Sequence, residues 1–168
     1  MSALPDPEAL VKTLADNMRG TIAADAGLVG IYTGGAWVAE RLHRALGLAT
    51  PLGVLAVTLH RDDFGRIGLH RESRRSQIPF NVDKREVILV DDVLYSGRTV
   101  RAAMNELFDY GRPASISLVV LVDRGGRQLP ICAQHVGAKI EVPAGMRLAL
   151  KRPDGGKLVL ALESERAA

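Results

Sequence analysis

The sequence predicts an α/β protein: an open, mainly parallel, twisted sheet with helices on both faces and a small C-terminal β-hairpin. Three observations predict it. Short apolar runs alternate with segments of helical periodicity, the pattern of strand–helix–strand units. Two runs, residues 87–90 and 115–122, are apolar almost throughout, as expected of central strands covered on both faces. Residues 146–150 and 158–162 flank Arg152-Pro153-Asp154-Gly155-Gly156, a turn-forming run that reads as a hairpin.

Taken in order, Pro5 and Pro7 suit a helix start, and Leu10, Leu14, Met18 and Ile22 recur at helical spacing, giving a helix over 7–26. A strand follows at 28–32 and stops at Thr33-Gly34-Gly35. Residues 37–46 carry a helical pattern, with Gly47 in the usual stop position. The next strand is 54–59. Residues 60–84 are polar, rich in arginine and poor in periodicity; a connection of that length inside a domain reads as a lid. Strand 87–90, helix 100–110 and strand 115–122 complete the alternating part.

Bulk properties narrow the class. A chain of 168 residues is expected to form one domain, 1–168, with a core that needs no staples. One cysteine, Cys132, rules out an internal disulfide framework and fits a reducing cytoplasm. No apolar run reaches membrane-spanning length, and the N-terminus lacks a secretory apolar stretch. His43, His60, His70 and His135 show no metal-ligand spacing with Cys132. The net charge of +3 is too small to mark a nucleic-acid binder by itself. Arg61, Arg66, Arg71, Arg74, Arg75 and Arg85 crowd into or just after the polar stretch, where a solvated loop is the default.

The chemistry lies at the strand ends. In a parallel sheet, ligands bind beyond the carboxyl ends of the strands. Four ends carry unusual residues: Thr33-Gly34-Gly35, His60-Arg61-Asp62-Asp63, Asp91-Asp92 and Asp123-Arg124-Gly125. Asp91 and Asp92 repel each other unless something balances them. A vicinal diol can donate to them, they can stabilise a sugar carbon gaining positive charge, and Mg²⁺ suits carboxylates and phosphates together. Ser96-Gly97-Arg98-Thr99 opens a helix, where exposed N–H groups and the helix dipole favour an anion. A plain N-cap turn is the alternative for Ser-Gly-x-Thr alone. No Walker-type phosphate loop occurs.

Residues 87–99, Val-Ile-Leu-Val-Asp-Asp-Val-Leu-Tyr-Ser-Gly-Arg-Thr, resemble the phosphoribosyl-diphosphate (PRPP) motif of type I phosphoribosyltransferases. Together with 57–63, 91–102, 109–113 and 121–131, they resemble the PyrR family over nearly the whole chain. Those proteins regulate pyrimidine operons and act as uracil phosphoribosyltransferases. The resemblance implies the type I phosphoribosyltransferase fold, with hood elements in 124–168 and a flexible lid at 60–84. It implies uracil plus PRPP giving UMP and diphosphate with Mg²⁺, in a cytoplasmic homodimer or higher homo-oligomer.

On the same basis, Asp91 and Asp92 hold the ribose hydroxyls and, indirectly, the metal. Val93, Leu94, Tyr95, Ser96, Gly97, Arg98 and Thr99 form the substrate-binding stretch, with the 5′-phosphate at Ser96 to Thr99. Thr33 and Gly34 belong to the diphosphate loop, Arg61, catalytic with Asp91 and Asp92 on this basis, and Asp62 to the lid, and Arg124 and Val136 to the uracil site. A tyrosine phenol in model peptides titrates near ~10 and is a poor base at neutral pH, so Tyr95 is expected to position or shield substrate. A pyrimidine-leader RNA is the implied macromolecular partner, with Lys12, Arg19, Arg127 and Lys139 as candidate contacts.

The chain departs from the family at several points. Gly34 stands where an arginine is usual in the diphosphate loop, which implies lower turnover or weaker PRPP binding. Asp16, Gly126 and Cys132 replace basic or histidine residues used for RNA, which weakens the RNA case. The second reading is therefore a nucleotide-sensing RNA-binding regulator with little or no catalysis. A purine or orotate enzyme is disfavoured because the hood resembles the uracil members.

Overall fold

The computed structural model describes residues 4–57 and 75–165. Along the chain lie α1 (Pro7–Met18), β1 (Gly27–Ile31), α2 (Gly34–Leu46), β2 (Gly53–Leu55), β3 (Glu86–Leu94) and α3 (Arg98–Leu107). Then come β4 (Ser115–Asp123), β5 (His135–Lys139), β6 (Met146–Lys151) and β7 (Val159–Ser164). Five strands form a sheet in the order β2-β1-β3-β4-β5, every neighbouring pair parallel. β6 and β7 pair antiparallel as a separate hairpin. Helices cover both faces, as the alternating pattern requires.

Side-chain alternation along the strands builds two cores. Leu28, Ile88, Val90, Val119 and Leu121 pack with Leu14, Met18, Val38 and Leu42 of the α1 and α2 side. Val29, Ile31, Val87, Leu89 and Val120 pack with Val100, Ala103 and Leu107 of α3. Each of these large side chains is essentially inaccessible, so each contributes on the order of 1.5–3 kcal/mol through removal from water. The hairpin lies on the α1–α2 side, where Leu148, Leu150, Leu158 and Leu160 join the first core. The Glu8 carboxylate links these parts: it accepts from Arg41 Nε at 2.9 Å and from the Leu158 amide at 2.9 Å.

Several boundaries differ from the sequence reading, each for a local reason. α1 stops at Met18, not near residue 26, because Gly20 takes φ +76 and turns the chain. Ile22 still packs against the first core, which explains its place in the apolar pattern. α2 begins at Gly34, three residues earlier than expected, so Thr33 is its N-cap and Gly34-Gly35 are its first turn rather than a separate loop. Its end matches: Gly47 is left-handed (φ +65) and donates to the His43 and Arg44 carbonyls. β3 continues four residues past Val90, so Asp91 and Asp92 lie within the strand. α3 begins at Arg98 and ends at Leu107. β5 is a strand that periodicity did not reveal. β2 is short, and residues 58 and 59 of its expected span lie outside the described residues.

Candidate active site

The sheet's order reverses between β1 and β3: the chain leaves β1 toward β2 on one side and leaves β3 toward β4 on the other. Such a switch point opens a crevice beyond the carboxyl ends of the strands. α2 starts three residues after the end of β1, and α3 four residues after the end of β3. Both helices thus bring their N-termini, with their partial positive charge, to this crevice.

The start of α2 lies directly on the backbone of β1 and β3. A Cβ at Gly35 would stand 2.5 Å from the Val90 carbonyl oxygen and 2.9 Å from Asp91 Cα, so no side chain fits there. A Cβ at Gly34 would stand 2.2 Å from Asp92 Oδ2. The Asp92 carboxylate therefore fills the space in which a side chain at 34 would begin. Asp91 is buried, 5% exposed, and its Oδ1 accepts from the Asp92 amide at 3.0 Å. The Tyr32–Thr33 peptide that leads into the helix is cis.

The second turn, Tyr95-Ser96-Gly97, connects β3 to α3. Gly97 is the N-cap at φ +91, a conformation that disfavours other residues. A Cβ on it would also come within 3.2 Å of Ile131 Cβ. The turn's carbonyls are satisfied from behind. Leu94 O accepts from the Arg124 amide at 3.0 Å, Tyr95 O from Arg127 Nη1 at 2.7 Å, and Ser96 O from the Gln128 and Leu129 amides at 3.0 and 3.2 Å. Arg98 contributes twice, its amide donating to Ser96 Oγ at 3.3 Å and its Nε to Gln128 Oε1 at 2.9 Å. Thr99 follows in the first turn of α3.

At the end of β4, Arg124 lies with its guanidinium carbon 4.1 Å from the centre of the Tyr95 ring, a cation–π distance. Its Nη2 donates to the Met146 carbonyl at 3.3 Å and approaches Glu165 at 3.8 Å, tying the hairpin to the crevice. Gly126 lies against the same ring: a Cβ there would be 2.2 Å from Tyr95 Cε2. The Tyr95 ring is 42% exposed. Below this group the Asp123 carboxylate accepts from Arg127 Nη2 at 2.5 Å and from the Gly125 amide at 2.9 Å. Chiefly because Arg127 donates to it, its pKa is held below the ordinary aspartate value, against the opposing effect of burial.

The structure thus brings together Thr33, Gly34, Asp91, Asp92 and the stretch from Val93 to Thr99, with Arg124 beside Tyr95. Val136 is placed differently: it pairs in register with Val120, itself paired with Asp91, and packs against the α3-side core. Arg61 and Asp62 lie outside the described residues. Of the candidate RNA contacts, Arg127 is turned inward by the bonds just given, and Arg19 pairs with Asp16 and the Ala45 carbonyl. Lys12 and Lys139 are exposed. Arg127, Gln128 and Leu129 had no signal in the sequence that linked them to the phosphate turn, because their partners are backbone carbonyls about 32 residues away.

The switch point, the paired carboxylates in β3 and the glycine turn opening α3 define a phosphosugar-binding protein of the phosphoribosyltransferase class. The family model described as "Phosphoribosyl transferase domain" matches residues 3–148. "Bifunctional protein PyrR" of Ralstonia nicotianae is 50% identical over 149 residues, 89% of this chain and 85% of the relative. The same-named protein of Nitrosococcus oceani is 50% identical over 153 residues, 88% and 86% of the two chains. That of Pseudomonas putida GB-1 is 45% identical over 170 residues, 99% and 96%. The chain belongs to the phosphoribosyl transferase domain family and, within it, to the bifunctional PyrR proteins.

Solved structures agree on the fold. A hypoxanthine phosphoribosyltransferase of Staphylococcus aureus superposes with a TM-score of 0.63 at 20% identity, covering 82% of this chain and 75% of that one. A hypoxanthine-guanine phosphoribosyltransferase of Bacillus anthracis gives 0.62 at 20% identity, covering 83% and 84%. At that identity the likeness speaks for the fold alone. Among the described residues no helix is long and apolar enough to cross a membrane.

Proposed function

We propose that the chain transfers the phosphoribosyl group of PRPP to uracil, giving UMP and diphosphate. The observation that carries this reading is the pair Asp91–Asp92, set in β3 between the N-termini of α2 and α3. One turn suits the 5′-phosphate, the other the diphosphate, and the carboxylates lie between them, where the ribose would span the crevice. As the bond from C1 to the diphosphate oxygen breaks and the bond to uracil N1 forms, N1 losing its proton to the departing diphosphate or solvent, C1 gains positive charge. Fixed negative charge beneath that carbon stabilises the transition state more than the ground state.

The remaining roles follow from placement. Ser96 to Thr99 present amides and hydroxyls to the 5′-phosphate at the start of α3. Tyr95, backed by Arg124, offers a flat, half-exposed ring on which a pyrimidine can stack. Val136 packs behind the site from β5, against the α3-side core, Arg61 and Asp62 serve as lid residues, and residues 124–168 act as the hood of a single domain 1–168. The donor set fits Mg²⁺, a hard cation that prefers carboxylate and phosphate oxygens. Among the described residues no cluster of three or more His, Cys, Asp or Glu could cage it. On the family resemblance, Asp91 and Asp92 would act on it through ribose hydroxyls or water. When bound, Mg²⁺ supplies positive charge to the leaving diphosphate.

We also carry the regulatory half: the same crevice senses UMP and couples it to a pyrimidine-leader RNA, in a cytoplasmic homo-oligomer. A purely regulatory chain is favoured by one observation, that Gly34 brings no cation to the diphosphate end. One preparation tests both halves. Uracil-dependent diphosphate release from PRPP with Mg²⁺ is the expected result, together with salt-sensitive, UMP-strengthened RNA binding. PRPP binding without UMP formation refutes the enzymatic half, and no RNA binding at low salt refutes the regulatory half.

A further inference from the structure

We propose that Arg127 is a positioning residue for the 5′-phosphate turn, acting with the amides of Gln128 and Leu129 to aim the turn's N–H groups at the anion. The inference rests on the phosphoribosyl reading of the site. In a planar trans peptide, the carbonyl and the following N–H point in opposite directions. Arg127 Nη1 holds the Tyr95 carbonyl at 2.7 Å, which turns the Ser96 amide the other way. The Gln128 and Leu129 amides hold the Ser96 carbonyl, which does the same for the Gly97 amide. A run of N–H groups fixed on one side of a turn makes an anion-binding concavity.

Arg127 is itself locked. Its Nη2 meets Asp123 at 2.5 Å, its Nε donates to the Ile131 carbonyl at 3.1 Å, and Nη1 lies 3.4 Å from the Leu94 carbonyl. The guanidinium thus joins the end of β3, the end of β4 and the strap 127–131. Its side chain is only 26% exposed. A fork of this kind suits arginine and not lysine, which offers a single point of charge. The strap closes the arrangement at Gly97, where Ile131 and Leu129 pack.

The test compares the full-length protein with Arg127→Gln and Arg127→Lys, binding ribose 5-phosphate by calorimetry and measuring steady-state kinetics. Losing a charge-assisted hydrogen bond in a half-buried site is expected to weaken ribose 5-phosphate binding about tenfold in R127Q and to raise the KM for PRPP similarly. The KM for uracil stays within about twofold, a split that general loss of folding does not produce. R127K keeps charge and one donor and falls between.

Unaltered ribose 5-phosphate affinity in folded R127Q overturns the proposal. So does a variant that loses RNA affinity alone, which would turn Arg127 outward. If R127Q fails to fold, R127K decides: equal affinity overturns, weaker affinity with unchanged uracil KM supports. Failure of the unaltered protein to bind ribose 5-phosphate defeats the phosphoribosyl reading itself, a result distinct from any of these.

Discussion

The two anion ends of the crevice are built from the same device, a strand running through a glycine-containing turn into a helix, yet they are finished differently. At the α3 end, every turn carbonyl from Leu94 to Ser96 is held from behind by residues 124–129, which turns the Ser96 and Gly97 amides to the opposite side. At the α2 end, Gly34 and Gly35 press the helix onto β3, and the space a side chain at 34 would enter holds the Asp92 carboxylate. The first end offers an anion a braced backbone. The second brings no side-chain cation from position 34 and places an acid beside the helix start. A braced turn at one end thus does not imply a cationic side chain at the other.

The largest expected effect comes from the carboxylate the two ends share. Asp92→Asn keeps shape and removes charge, and kcat for diphosphate release should fall on the order of 100-fold. An unchanged kcat would remove Asp92 from the transition state. Gly34→Ala probes the crowded end: its Cβ would collide with Asp92 Oδ2, so the carboxylate must move. A fall in kcat of about tenfold is expected, with ribose 5-phosphate affinity retained. Equal loss at both ends would break the comparison. Tyr95→Ala should raise the KM for uracil several-fold, about what one stacked base contributes, and leave the KM for PRPP alone.

The smallest effect concerns acid stability of the braced end. Arg127 holds the Asp123 pKa below its unfolded value. Such a group stabilises the folded state fully above the unfolded pKa and loses that contribution as pH falls through the lower, folded one. Asp123→Asn should therefore melt below the unaltered protein at neutral pH, with the gap closing below about pH 4. A gap that does not change with pH contradicts the assigned ion pair.

Much of this was legible in the chain. Residues 87–90 and 115–122 announce central strands because they are apolar on both faces, and Asp91-Asp92 followed by Ser96-Gly97 marks the candidate site. β5 was not legible: it is an edge strand of half-buried residues, and Gly137 sits 2.5 Å, at its missing Cβ, from the Leu121 carbonyl. Close backbone approach leaves no periodic trace. The end of α1 was overread because Ile22 continues the helical spacing while Gly20 has already turned the chain. The bracing by Arg127 was hidden for a related reason. Its partners are main-chain carbonyls, which every residue carries, so no side-chain pattern points to them.

The difference between the two ends is measured most directly by titrating the protein separately with ribose 5-phosphate and with diphosphate, each in the presence of Mg²⁺. Ribose 5-phosphate is predicted to bind at least about tenfold more tightly, because its site is formed by fixed amides while the diphosphate end lacks a cation at Gly34. Diphosphate binding as tightly as ribose 5-phosphate, or more so, would contradict the account.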